Sequence, residues 1–523
     1  MADSRSDIFH KLKYPAVIAL AIIGIVFSKW LLSVSQFLLL FAVLSDRRSR
    51  MRLLEAFRSP LVLSLISVYL LYLAGLLWTS DMKYGLKDVL NKFPMMVFPV
   101  LFYAAGPLPK KTAVYLILFF TGCVALLSII SLVNLYLSPV IPERIAIGQS
   151  HIRFSLLICL SILMLIHFSD LKEKWFRFSF IPVILVLLYF LFMLESFTGY
   201  VVIFMLACFL PFIYRHKIRN TAVRISIIGL LILIVSTALW GIYDVKRNCF
   251  PEISKVDADT LEQTTINGYY YQHDTETMLS ENGNQVYLFV QEMEMVNAWN
   301  HRSSKKIEMN SACSPATNVL MRYLSSKGLR KDSLGVYSLS DQDIKYIEEG
   351  YSNYLLPHFD PYRARIYRFL WELNSYRCTG DPSGHSLTQR FEFWRAAVRL
   401  IEKHPVFGVG TGDINQAFKD EYDILNSKLK PEYRLRSHNQ FLSVAVALGF
   451  AGLLVFLFSL TAPFLLHKIP DRKLYIGFIF IFLLSMLNED TLETQVGVTF
   501  YALFNSFLLF ILPSNPKSED EKE

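Results

Sequence analysis

Residues 434–466 read RLRSHNQFLSVAVALGFAGLLVFLFSLTAPFLL. From Phe441 to Leu466 no charged side chain interrupts the run, which exceeds the roughly 20 apolar residues needed to cross a hydrocarbon core. Two arginines, a histidine and an asparagine stand directly before it. The run predicts a membrane helix, and the residues ahead of it place titratable chemistry at that helix's mouth.

The same texture recurs along the chain. Of 523 residues, 53% are hydrophobic and the mean hydropathy is +0.37. The apolar residues come in blocks rather than at the period of a soluble helix or strand. Twelve blocks fall near 14–28, 31–45, 60–78, 93–106, 112–137, 151–169, 179–195, 198–214, 224–243, 439–466, 474–488 and 497–513. The expected fold is an all-α polytopic membrane protein of about twelve transmembrane helices. Helices 1–9 occupy 1–243 and helices 10–12 occupy 438–513, with a tail at 514–523. No small-residue cleavage site follows the first block, so no cleavable signal peptide is expected.

Charge sets the orientation. The loops 46–59, 107–111, 170–178, 215–224 and 467–473 hold 17 Lys and Arg, whereas the opposite short loops hold five: Lys29, Lys83, Lys87, Lys92 and Arg144. The positive-inside rule then puts both termini in the cytoplasm and the long 244–437 segment outside. This bias accounts for most of the net charge of +8 and removes the case for nucleic-acid binding.

The segment 244–437 reads as an external loop domain. Its 245–360 part is a polar insertion of mixed α+β character, with strand-like QVYLFV and the turn signal ENGN. Residues 361–437 read as helical. In RFEFWRAAVRLIEKHP, Phe393, Ala396, Ala397 and Leu400 recur at helical spacing. Of the six cysteines, Cys123, Cys159 and Cys208 are apolar fillers of membrane blocks. Cys249, Cys313 and Cys378 allow at most one disulfide and fix none.

Each chemical candidate has a plain counterpart. Arg153, in the first turn of the sixth block, is either a snorkelling anchor or an anion site, since a planar guanidinium suits phosphate. Gly408, Gly410 and Gly412 lack the Lys-Ser/Thr ending of a phosphate loop and follow a helix, so they read as a tight turn after Pro405. Asn439 reads as a helix cap. His438 can act as a base near neutral pH, with Arg434 and Arg436 favouring its neutral form. Glu489 and Asp490, with Glu493, reach the same surface, as partners for these arginines or as a second proton acceptor.

Taken together, His438-Asn439, nine residues, then Gly449-x-x-Gly452 resembles the signature of the O-antigen ligase and polymerase superfamily. Arg390-x-x-x-Trp394 followed by HPVFGVGTGD resembles the external-loop motif of that family. HIRFS and NEDTLETQVGVTF are similar to family segments at the mouths of the sixth and eleventh helices. The chain departs from the family at 195–199, where ESFTG stands in place of Ser-Arg-x-Gly.

The resemblance implies an inverting glycosyltransferase that uses neither metal nor cofactor. It implies transfer of a glycan from undecaprenyl diphosphate to an acceptor hydroxyl, such as a lipid A-core sugar, at the periplasmic face. Arg153 and Arg390 would stabilise the departing diphosphate and His438 would serve as base. Arg434, Arg436, Asn439, Trp394, Glu489 and Asp490 are the further substrate-binding candidates. A repeat-unit polymerase of the same superfamily is the near alternative, and a membrane transporter the distant one, because transporters bind at mid-depth on broken helices.

Overall fold

A computed structural model describes residues 2–137, 150–169, 174–194, 196–214, 221–308 and 314–514. Each apolar block is helical there: α1 (Ala2–Phe27), α2 (Lys29–Leu44), α4 (Pro60–Ala74, extended by a 3-10 turn Gly75–Trp78), α6 (Pro94–Ala105), α7 (Lys110–Leu137), α8 (His151–Phe168), α9 (Lys174–Met193), α10 (Phe197–Ile213), α11 (Thr221–Cys249), α19 (Gln440–Leu466), α20 (Arg472–Asn488) and α21 (Gln495–Ser506). The first two blocks, almost fused in sequence, separate at Ser28, whose side chain accepts from Leu31 N and starts α2. By length and apolar composition five helices suffice to cross a membrane alone, and α9, α10 and α21 are apolar but shorter. The fold is therefore mostly helical with five to six spans shown by that measure, and the expected twelve exceeds this number.

Two segments expected as loops are helices. Residues 47–56 form α3 (Arg47–Ala56), capped by Asp46 and bent 109° from α2. Residues 82–92 form α5 (Met82–Lys92), capped by Asp81. Their charges masked them in a hydropathy reading, and α5 is inside out. Met82, Leu86 and Leu90 are exposed, whereas Asp88 and Lys92 are buried.

The chain divides into two compact units. One comprises Met1–Arg224, Glu392–Ser427 and Arg434–Glu523; the other comprises Ile225–Phe391 and Lys428–Tyr433. In the first unit α8 is the most enclosed span, 72% buried, and it packs against α7, α9, α10 and α20. At the end of α8 opposite Arg153, His167 lies 2.6 Å from both the Tyr214 hydroxyl and Asp471, which ties α8, α10 and α20 together. Helix α4 packs along α19, and α6 along α21.

The second unit corrects the expectation of a mixed α+β insertion. It is helical, with α12 (Glu292–Arg302), α13 (Pro315–Ser326), α14 (Ser333–Tyr337), α15 (Asp341–Glu348) and α16 (Pro361–Thr379). Among the described residues, strand is confined to the two-residue pair β1 (Ser280–Glu281) and β2 (Asn284–Gln285), closed by the expected Asn282-Gly283 turn at positive φ. In QVYLFV the alternation is real, since Val286, Leu288 and Val290 are buried. It is not a continuous strand: Gln285 pairs within β2, Val290 forms single bridges with Gln272 and Lys331, and the buried Lys331 ammonium takes the carbonyls of Gln285 and Leu288 at 3.0 and 2.9 Å. Trp299, Tyr323 and Leu324 form one core, and Val245, Tyr367 and Trp371 another. Cys249 and Cys378 are free thiols; Cys313 lies outside the described residues.

Candidate functional site

The first unit contains α18 (Ile414–Ile424), and its chain returns at Arg434 toward the mouth of α19. Asn439 is the N-cap of α19: its Oδ1 accepts from Phe441 N at 3.0 Å and Leu442 N at 3.2 Å, and its Nδ2 donates to the Leu487 carbonyl at 3.0 Å. Capping turns the chain sharply, and His438 absorbs the turn with φ of +47°. That left-handed backbone is uncommon for a residue with a Cβ and is held only where the surroundings impose it.

Here the surroundings are the NEDTLE segment after α20, laced side chain by side chain to RSHNQ. Asp490 Oδ2 accepts the His438 backbone N–H at 3.1 Å, and its Oδ1 accepts the Ser443 hydroxyl at 2.8 Å. His438 Nδ1 lies 3.4 Å from Glu489 Oε2, and Phe393 stacks on the imidazole with centroids 5.5 Å apart. Glu493 accepts from Arg436 Nη1 at 2.8 Å and Gln440 Nε2 at 3.1 Å, while Gln440 Oε1 accepts Leu492 N at 2.6 Å. Burial alone would favour the neutral acid at Glu493, but Lys92 and Arg436 outweigh it and hold the carboxyl at about 2. Asp490 keeps some exposure, yet desolvation and the charge of Glu493 push its pKa up.

The arginines differ from expectation in one respect. Arg434 pairs with Asp423 on α18, and Arg436 with Glu493, with Asn415 and with the Tyr84 ring. Each is engaged by its own partner, and the charged groups that His438 contacts are the carboxylates of Glu489 and Asp490.

Arg153 is half-buried in the first turn of α8 and interacts electrostatically with Glu489. The neighbouring turn is tight: a Cβ at Gly199 would lie 2.7 Å from Ser155 Cβ, and Ser196 hydrogen-bonds Ser155 at 3.2 Å. Asn488 donates to Thr198 at 2.9 Å, which joins the start of α10 to the same mouth. Glu195, in the segment where the family pattern departs, lies outside the described residues.

The glycine-rich segment is architectural. Gly449, at φ +66° and ψ −168°, breaks α19 inside the apolar run. Residues 405–410 repair the break: Val409 N and Gly410 N donate to the Val446 and Ala447 carbonyls at 2.9 and 3.0 Å, while Phe450 N and Ala451 N donate to Pro405 and Val406 at 2.7 and 3.3 Å. Non-helical backbone within a span needs such internal partners. A Cβ at Gly449 would sit 2.2 Å from the Val406 oxygen, and one at Gly408 2.4 Å from the Ala447 carbonyl carbon. On its far side the segment grips the end of α4, where Thr411 donates to the Tyr72 carbonyl at 2.6 Å and Asp413 accepts from Ser80 N and Asp81 N. The expected turn is present, and it serves this stitching.

Arg390 and Trp394 lie on α17 (Ser386–Lys403), whose Phe393, Ala396, Ala397 and Leu400 are all buried as their spacing suggested. Arg390 belongs to the second unit, where its guanidinium donates to the Ser386 carbonyl at 2.8 Å and hydroxyl at 3.1 Å. Trp394, in the first unit, lines an open groove with Arg395, Val398, Arg399 and Glu402.

Sequence reasoning missed Lys92, Asp88 and Gln440. Lys92 Nζ reaches both Asp88 oxygens and Glu493 Oε2 at 2.8 Å, with no exposure. The spacing of Asp88 and Lys92 was visible as a helical ion pair, but such pairs are normally solvated, and nothing local marked this one as inward-facing. Among the described residues no group of three His, Cys, Asp or Glu is disposed to hold a metal ion.

No curated protein matches the chain. Residues 351–457, a segment that includes Arg390, the glycine stitch, His438 and the break at Gly449, match the family model described as O-antigen ligase.

Proposed function

We propose that the protein transfers a glycan from undecaprenyl diphosphate to an acceptor hydroxyl, acting as an O-antigen ligase with lipid A-core as acceptor. The observation that carries this reading is the setting of His438. Its Nδ1 faces Glu489, its backbone is pinned by Asp490, and Glu489 is coupled to Arg153. With Nδ1 protonated toward Glu489, Nε2 is left as the proton-accepting nitrogen.

In the proposed step the acceptor hydroxyl gives its proton to His438 Nε2 as its oxygen attacks the anomeric carbon. The bond from that carbon to the diphosphate oxygen breaks, its electron pair leaves with the diphosphate, and the anomeric configuration inverts. Charge grows on the leaving diphosphate, and Arg153 answers it with a fixed two-pronged donor. Arg390 is the second arginine of this proposal on the strength of its motif. The chemistry is assigned to the periplasmic face, with both termini cytoplasmic.

The test is transfer by the purified full-length chain in lipid nanodiscs, with a defined undecaprenyl-diphosphate glycan and separate acceptors. Transfer to lipid A-core that survives EDTA supports the ligase reading. Product built only on a second lipid-linked glycan assigns a polymerase. No glycan transfer, together with solute exchange in liposomes, would overturn the proposal.

A further inference from the structure

The buried ion cluster beneath the site has no part in the step just described. Lys92 and Arg436 face Asp88 and Glu493, two cations against two anions, with the Lys92 ammonium also 4.2 Å from the Tyr72 ring centroid. Stability does not account for it. Desolvating two ion pairs costs as much as their attraction returns, and well-packed apolar side chains would hold α5 at least as firmly. Buried charge does supply direction, because each ion accepts only partners in fixed geometry.

That geometry converges on one segment. Glu493 binds Arg436 and Gln440, the residues two before and two after His438. Lys92 binds the same Glu493 oxygen as Arg436 and is anchored in turn by Asp88 on the adjacent turn of α5. The left-handed backbone at His438 is thus clamped at both ends by a single carboxylate, and that carboxylate is aimed by Lys92.

We infer that Lys92 is a positioning residue for the transfer reaction, fixing Glu493 so that the Arg436–Gln440 segment presents His438 in its strained conformation. This rests on the proposed function for its kinetic readout and on geometry alone for the other. Without Lys92, Glu493 loses one of the two cations that offset its burial, so it gains a proton at higher pH and releases Arg436. Asp88 and Asp490, the other carboxylates around it, then repel it further.

The experiment compares wild type, Lys92→Met, Lys92→Arg and Glu493→Gln as full-length protein in nanodiscs. For Lys92→Met we expect kcat per folded enzyme to fall at least tenfold, with KM for the donor within about twofold. The acid limb of the pH profile should move upward, and Lys92→Arg should restore part of the loss. In parallel, carbethoxylation of His438 by diethylpyrocarbonate, read by peptide mass spectrometry, should change at least threefold while His385 and His467 keep their rates. If Lys92→Met does not insert, Glu493→Gln is expected to show the same kcat loss and labelling change. Unchanged kcat, acid limb and labelling would overturn the inference while leaving the transferase reading intact. A lower folded yield alone, with kcat per enzyme unchanged, would assign Lys92 a purely structural role and also overturn it. If wild type transfers nothing, the functional reading fails and the labelling decides: a change upholds the clamp, and no change rejects it.

Discussion

His438 shows why one residue type at one spacing was worth following. The sequence offered a histidine at a helix mouth, and the structure adds a positive φ, a stacked Phe393 and two carboxylates. Strain of this kind costs about 1–3 kcal/mol and persists where a function repays it. His438→Ala should lower kcat by about 10²–10⁴, the range of a lost general base, without a gain in thermal stability in detergent, because alanine keeps the Cβ that makes the positive φ costly. Near-normal turnover would pass the base role to Glu489 or Asp490. Arg153→Lys should lose about 10²–10³ in kcat, because a point charge does not reproduce the guanidinium fork, and Lys activity equal to wild type would reduce Arg153 to a membrane anchor. Arg390→Ala, measured in the same assay, checks the expectation from the motif.

At the scale of elements, what was legible was whatever a side-chain pattern encodes. Twelve apolar blocks became helices, the α17 stripe was buried, and Asn439 proved to be a cap. What was not legible depends on backbone meeting backbone or on a charge facing inward. HPVFGVGTGD read as a turn because its glycines announce flexible dihedrals, yet its partner, the break at Gly449, lies about forty residues away and shares no side-chain signal with it. QVYLFV alternates like a strand but gives carbonyls to Lys331, and α5 looked like a polar loop because its buried pair resembled a solvated one. Gly449→Ala tests the stitch: a methyl group there meets the Val406 carbonyl at 2.2 Å on a backbone at φ +66°. We expect loss of folded protein by fluorescence-detected size exclusion, while Gly122→Ala, with nothing within 4 Å, should behave as wild type. Equal yields for the two would remove the stitch as a structural requirement.

For the whole molecule, the second unit has its own pH dependence. Burial, only partly countered by Asp332, lowers the Lys331 ammonium from the usual lysine range to about 7. Between that value and about 10.4 the unfolded chain binds the extra proton, so stability rises with pH across this window and falls as pH drops toward 7. Hydrogen exchange of residues 286–290, corrected for its intrinsic pH dependence, should slow from pH 7 to 9. A flat profile would show that Lys331 stays charged. The broken span in the first unit bears on biogenesis. Its partner, residues 405–410, is synthesised before Val446 to Ala451. The nascent span therefore meets a template already synthesised, and no stretch of unpaired backbone has to wait in the bilayer for a later one. The order of the two motifs along the chain is an assembly sequence, and a permuted chain that placed 405–410 after α21 would have to insert the break unsupported.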